Sequence, residues 1–142
     1  MSNNQIVYEL QKTDKHLIEK GKNKTKTKLI TIEDTTVFNN SDDAINFAIS
    51  DIIENCINQL SVCKFYEVWL NEATFSKSGI IFHPYGNTNI IFFYYDINRI
   101  FNPFKLKIRK DYKDDEKIKS LIKEINKLEI TRLDLSDNFF LL

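Results

Sequence analysis

The sequence predicts an α+β domain in which two amphipathic helices pack on a mixed or mainly antiparallel sheet of about five to seven strands. The first observation is the apolar run at residues 90–95, half of it aromatic, which is too short to cross a membrane and is typical of a buried strand. The second is that several strand-like segments follow one another without a helix between them. The third is the helical spacing of apolar residues in two other segments, which begin near residues 41 and 114.

The first two strands are predicted at residues 6–10 and 28–32, where β-branched and aromatic side chains are concentrated. The lysine-rich stretch between them is expected to connect the two strands, with a turn near Gly21. Residues 64–70 have the same aromatic and β-branched character and predict a third strand, which a short segment at residues 74–76 can extend.

The first helix is predicted between Asn40 and Leu60, because apolar residues recur there at intervals of three and four. Either Asn40 or Ser41 can cap its amino end with a side-chain oxygen. Asp42 and Asp43 then occupy the first turn, where their negative charge is favourable beside the positive end of the helix dipole.

Further strands are predicted at residues 80–82, 90–95 and 104–109. The first two of these are expected to be antiparallel neighbours joined by the loop between them. The third alternates apolar and basic residues, which is typical of a strand with one side in water.

A second amphipathic helix is predicted to begin at Asp111 or Asp114 and to end near Leu128. Residues 130–135 alternate again and predict a return to the sheet. The apolar residues 139–142 are expected to dock on the body of the domain, because a free apolar tail is unfavourable in water.

The strand at residues 90–95 needs cover on both faces of the sheet. Alternate side chains point in opposite directions, so Phe92 and Tyr94 need one cover and Phe93 and Tyr95 need another. Two helices can supply one cover each. Alternatively, both can lie on one face and leave the other for the sheet to fold over or for a partner to fill.

Composition predicts one folded domain over residues 1–142, since 42% of the residues are hydrophobic and 28% are charged. The polar amino end lacks the segments of a secretory signal, and no apolar run approaches the roughly 18 residues that span a bilayer, so we expect a cytoplasmic protein without membrane contact. The two cysteines, Cys56 and Cys63, are expected to be core thiols.

Signatures of catalysis are missing from the sequence. There is no glycine-rich phosphate loop, no paired-histidine metal motif and no nucleophile elbow, so we expect neither an enzyme nor a cofactor. His16 and His83 are expected to be solvated or satisfied by neighbours. A carboxylate pair of Glu67 and Glu72 remains a weaker catalytic alternative.

Charge is unevenly distributed along a chain whose formal net charge is zero. Residues 1–28 carry seven lysines against three acids, whereas residues 29–98 carry two lysines against nine acids. The first predicted helix has no lysine or arginine, so its outer side should be acidic and rich in amides, with these residues: Asp43, Asn46, Ser50, Asp51, Glu54 and Asn58.

An acidic helix face favours a protein that binds a basic partner, because complementary charge speeds encounter and rejects wrong partners. In general character the chain resembles immunity proteins, including barstar-like inhibitors, although it shares no motif with them. We therefore interpret it as a non-catalytic inhibitor of a basic, nuclease-like toxin domain. Its expected contacts are all acidic: Asp42, Asp43, Asp51, Glu54, Glu67 and Glu72.

Two other functions stay open. One is a small enzyme or ligand-binding domain with a pocket near Trp69, His83 and Tyr85. The other is an accessory protein that contacts nucleic acid through the lysines between Lys20 and Lys28. We do not expect nucleic acid as the partner, because no arginine or aromatic residue is interleaved with these lysines and edge lysines also prevent strand aggregation.

Overall fold

The structure, a computed structural model, describes residues 5–20, 26–76, 78–79, 81–82, 88–99, 102–132 and 140–141. The helices of this part of the chain are α1 (Ser41–Asn55) and α2 (Glu116–Arg132), with short 3-10 helices at Ile57–Gln59 and Lys110–Tyr112. Its strands are β1 (Gln5–Lys20), β2 (Lys26–Phe38), β3 (Cys63–Phe75), β4 (Ile81–Phe82), β5 (Asn89–Asp96), β6 (Phe104–Ile108) and β7 (Phe140–Leu141). The predicted α+β class is confirmed.

The strands form one sheet in the order β2-β1-β3-β5-β6-β7, and β4 pairs with β3 beside this path. All pairings are antiparallel except that of β6 with β7, so the sheet is mixed and mainly antiparallel, as predicted. The predicted pairing of residues 80–82 with residues 90–95 is wrong. Phe82 lies opposite Thr74 of β3, because both edges of β5 are already occupied by β3 and β6.

The first hairpin is longer than the sequence predicts. The strands β1 and β2 pair continuously from Tyr8 opposite Phe38 to Lys20 opposite Lys26. Much of the lysine-rich stretch is therefore strand, because the ladder hydrogen bonds and cross-strand pairs outweigh the low strand propensity of lysine and glutamate. The predicted turn at Gly21 lies outside the described residues.

Asn40 caps α1, as predicted. Its Oδ1 accepts a hydrogen bond from the Asp43 backbone N–H at 2.8 Å, and its Nδ2 donates to Asp43 Oδ2 at 2.9 Å. The helix ends at Asn55, before the predicted end at Leu60, and the chain continues as the tighter 3-10 turn. The buried side of α1 follows the predicted stripe of Ala44, Ile45, Ala48, Ile49 and Ile52.

Asp115 caps α2, one residue after the nearer of the two predicted caps. Its Oδ1 accepts hydrogen bonds from the backbone N–H groups of Lys117 at 2.9 Å and Ile118 at 3.2 Å. The helix continues to Arg132, so the strand predicted to begin at residue 130 is wrong over its first three residues. Beyond the helix, β7 pairs with β6, which confirms that the apolar carboxyl segment docks on the sheet. Neither described helix is both long and apolar enough to span a bilayer.

Both helices cover the same face of the sheet. One buried cluster joins Phe93 and Tyr95 of β5 to Ile52 of α1 and Leu121 of α2. The neighbouring residues Phe92 and Tyr94 point to the opposite face and are only half-buried. As in the second of the two predicted arrangements, both described helices lie on one face of the sheet, and no described helix covers the other face.

Substitution of two adjacent phenylalanines tests whether the core lies on one side of the sheet. Phe93→Ala should lower the free energy of unfolding by about 3 to 5 kcal/mol, because it removes a ring from a fully packed interior. Phe92→Ala should cost only about 1 to 2 kcal/mol, since that ring is half-buried on the open face. Urea unfolding of the two variants measures the difference, and equal losses would contradict the assignment of the two faces.

Candidate functional site

The exposed side of α1 combines acidic residues with one aromatic ring. Asp43, Phe47, Ser50 and Glu54 are spaced by four, three and four residues, so they lie along one side of the helix, and all four are exposed. Phe47 keeps 43% of its surface exposed, and its ring centroid lies 5.4 Å from that of Phe38 at the end of β2. An apolar anchor is therefore set in an acidic surface. We call this surface, together with Asp42, the acidic face.

Phe47 is not among the surface residues predicted from the sequence. A signal for it exists, because Phe47 lies outside the apolar stripe formed by Ala44, Ile45, Ala48 and Ile49. A phenylalanine on the polar side of an amphipathic helix is unusual enough to mark a contact surface.

Asp51 is not part of the acidic face, although the sequence grouped it with the exposed acids. Its side chain is 12% exposed and lies 2.8 Å from Lys12 Nζ of β1. It also accepts hydrogen bonds from the Tyr66 hydroxyl of β3 and, at 2.8 Å, from Asn55 Nδ2. Asp51 therefore joins α1 to two strands of the sheet.

The Tyr66 hydroxyl remains a hydrogen-bond donor. Burial, and then the negative charge of Asp51, raise the pKa of Tyr66 far above its ordinary value. The neutral phenol and the Lys12 ammonium together satisfy the Asp51 carboxylate. This group is structural, and it leaves Asp51 without a role at an exposed surface.

Asp14 lies on the same face of β1, two residues beyond Lys12. Its side chain is only 4% exposed, and Asp14 Oδ1 lies 3.5 Å from Nδ1 of His16. Neither of these two atoms has a hydrogen-bond partner. Burial raises the pKa of Asp14 above its ordinary value, and the nearby His16 and Lys12 oppose that shift. His16 keeps 24% of its side chain exposed, and its Nδ1 is within ion-pair distance of Asp14 when the ring is protonated.

The remaining predicted contacts, Glu67 and Glu72, are five residues apart on β3 and point to opposite faces. Glu72 pairs with Arg109, whose Nη2 lies 3.3 Å from its Oε1. Arg109 also bonds to Asp111 through Nε at 2.8 Å, and this contact lowers the pKa of the Asp111 carboxyl. The two glutamates do not meet, so the catalytic carboxylate pair is not formed.

Glu67 lines a groove on the open face of the sheet, with a volume of about 430 Å³. Glu33 of β2 and Glu67 of β3 both lie opposite Thr13 of β1. Their backbones are therefore two strand spacings, or about 10 Å, apart. Trp69 forms another wall of the groove, and its ring centroid lies 4.2 Å from that of Phe92. Trp69 thus lies in a pocket, as one alternative predicts, whereas His83 and Tyr85 lie outside the described residues.

The described residues contain no group of three or more His, Cys, Asp or Glu side chains that could hold a metal ion. Cys56 and Cys63 are both buried, and neither forms a disulfide. Their predicted place in the core is confirmed.

Comparison of the chain with protein-family models, with curated proteins and with solved structures finds no match. Function is therefore inferred from the geometry of the chain itself.

Two acids of α1 should respond differently to truncation. Asp51→Ala should lower the free energy of unfolding by about 3 kcal/mol, because it leaves Lys12 and Tyr66 without their buried partner. Glu54→Ala should change it by no more than about 0.5 kcal/mol, since Glu54 is exposed. Urea unfolding of both variants gives the comparison, and a small effect of Asp51→Ala would show that the ion pair contributes little.

The pH dependence of stability should reveal the buried carboxyl of Asp14. Below its ordinary pKa of 3.8 the group is protonated in both states, whereas at higher pH the unfolded chain loses this proton first. The contribution of Asp14 to stability should therefore fall as the pH rises above about 4, until the folded carboxyl ionises as well. In the Asp14→Asn variant, the free energy of unfolding, measured in urea at a series of pH values, should not show this fall. Parallel profiles for the two proteins would be the contrary result.

Proposed function

We propose that the chain is a non-catalytic protein-binding module, and specifically an immunity or antitoxin-type inhibitor that covers a basic, nuclease-like toxin domain. The observation that carries the proposal is the exposed Phe47, which lies on the same side as Asp43 and Glu54 of a helix without lysine or arginine. Aromatic anchors ringed by polar residues are the usual arrangement of energetically important contacts between proteins.

The charges suit a partner that binds phosphates. A nuclease domain holds its substrate with lysine and arginine side chains, which carry the charge opposite to that of Asp42, Asp43 and Glu54. Pairing of those side chains with the acidic face excludes the nucleic acid without any chemical step. Asp51 and Glu72 contribute less to this contact than the sequence suggests, because both are engaged by cations of the chain itself.

The first experiment is co-expression with the product of the neighbouring reading frame, followed by calorimetric titration of the purified pair. Phe47→Ala and Glu54→Lys should each weaken binding by about 2 kcal/mol, or roughly 30-fold in Kd, because one removes the anchor and the other reverses a charge. Binding should also weaken at high salt.

Two control variants separate a specific contact from a general effect. Phe75→Ala removes another exposed ring, at the end of β3, and Asp114→Lys reverses another exposed charge, before α2. Both should leave the affinity unchanged. If the acidic-face variants bind as tightly as the controls, the proposal is wrong.

The groove beside Trp69 favours a second candidate function, a ligand-binding domain that uses the open face of the sheet. An aromatic wall flanked by Glu33 and Glu67 suits a cationic ligand. Trp69 is the single tryptophan of the chain, so its fluorescence reports directly on this groove. A change in emission on adding a cationic ligand, abolished in Glu67→Gln, would favour this function, whereas binding of a protein partner at α1 should leave the emission unchanged.

A further inference from the structure

A small cavity lies between β1 and the carboxyl end of α1, away from the acidic face. Its volume is about 130 Å³, and its walls come from β1, from α1 and from the turn that follows the helix. The lining residues are Asp14, His16, Asn55, Gln59 and Val62. Four of these five side chains are polar, so this is a hydrophilic cavity in the helix-covered side of the sheet.

One carboxylate oxygen of Asp14, Oδ1, is buried at this cavity without a hydrogen-bond partner. A buried carboxylate oxygen without a hydrogen bond is rare, because its lost hydration is not replaced. His16 Nδ1, 3.5 Å from Asp14 Oδ1, is likewise without a hydrogen bond. Two buried polar atoms thus border a space that can hold a hydrogen-bond donor.

The charge around the cavity calls for a cation. Lys12 is committed to Asp51 at 2.8 Å, so the neighbouring carboxylates of Asp51 and Asp14 share one ammonium group, and the other basic group beside Asp14 is His16, whose Nδ1 lies 3.5 Å from Asp14 Oδ1. The carboxyl end of α1 adds partial negative charge, and the last turn of the helix contains no basic residue. A cation in the cavity would balance the Asp14 carboxylate.

Size and acceptor positions favour a guanidinium group over an ammonium group. The cavity volume of about 130 Å³ exceeds what one compact ammonium fills. The amide nitrogen of Asn55 is used by Asp51, so the amide oxygen is the group that Asn55 can offer as an acceptor. Acceptors on Asp14, Asn55 and Gln59 then suit the planar donors of a guanidinium, which is also weakly hydrated.

We propose that this cavity binds a guanidinium group, namely the end of an arginine side chain on the basic partner, with Asp14 as counter-ion and the amides of Asn55 and Gln59 as orienting groups. That the arginine belongs to the basic partner rests on the proposed function, whereas the guanidinium site itself rests on the cavity alone. Glu54 of the acidic face immediately precedes Asn55 of the cavity lining in the sequence.

The test is a titration of the isolated chain with methylguanidinium chloride, followed by NMR over the range in which the chain stays folded. The side-chain amides of Asn55 and Gln59 should shift saturably, and the pKa of Asp14 should fall, because a bound cation favours the carboxylate. Asp14→Asn should weaken binding about tenfold, since a charge-assisted hydrogen bond is lost. Gln59→Ala, a change in the exposed turn, should weaken it by a smaller factor.

The control is Asp114→Asn, which changes an exposed charge before α2, outside the cavity lining, and should leave methylguanidinium binding within about twofold, since exposed charges are screened. Methylammonium should bind more weakly than methylguanidinium. Absence of saturable shifts with methylguanidinium would overturn the site and leave a cavity that holds only water.

A capped arginine tripeptide distinguishes the source of the guanidinium. Binding of the tripeptide supports a partner's side chain, whereas binding of methylguanidinium alone would overturn that assignment in favour of a free small guanidine. If the tripeptide binds but Phe47→Ala and Glu54→Lys leave the partner's affinity unchanged, the acidic-face function fails while the guanidinium site stands.

Discussion

The one-sided cover of the central strands is the constraint on which the rest of the structure depends. Successive residues of β3 and β5 face opposite sides of the sheet, and both helices pack on the side of Phe93 and Tyr95. The main apolar layer of the domain therefore lies on that side. The other side keeps half-buried rings that stabilise one another, as with Trp69 and Phe92, and carries a polar groove.

Along β1, the face that the helices cover changes from apolar to charged. Leu10 belongs to the apolar core, whereas Lys12 and Asp14 follow it on the same face. The group formed by Lys12, Asp51 and Tyr66 fixes where the second half of the helix lies. Such a buried pair contributes more to orientation than to net stability, because desolvation offsets much of its attraction. The outer side of α1 is thereby held at a defined angle to the sheet.

Periodic patterns predicted most of the fold, whereas the candidate site depended on contacts that no pattern records. The stripe of α1 and the alternation of β6 follow from local spacing, and both were predicted. The different surroundings of Asp51 and Glu54, three residues apart on one helix, follow from which strand lies beneath them. Asp14 and His16 likewise acquire their setting only when α1 packs over β1.

Errors in the predicted elements have the same origin. The pairing of β4 with β3 depends on which strand edges are free, and the length of the first hairpin depends on ladder bonds that outweigh the propensity of lysine. These are properties of the assembled sheet.

The position of β1 between β2 and β3 has a consequence for how the chain folds. Its ladder with β2 is local, whereas its ladder with β3 places Gln5 opposite Phe75 and must close a long loop that contains α1. Loop closure of this kind is entropically costly and slows folding. The hairpin and α1 can form before β3 has left the ribosome, so one edge of β1 waits unpaired until the middle of the chain is made. Of the two pairings of β1, the one with β3 is therefore the one that fixes the place of the hairpin in the sheet.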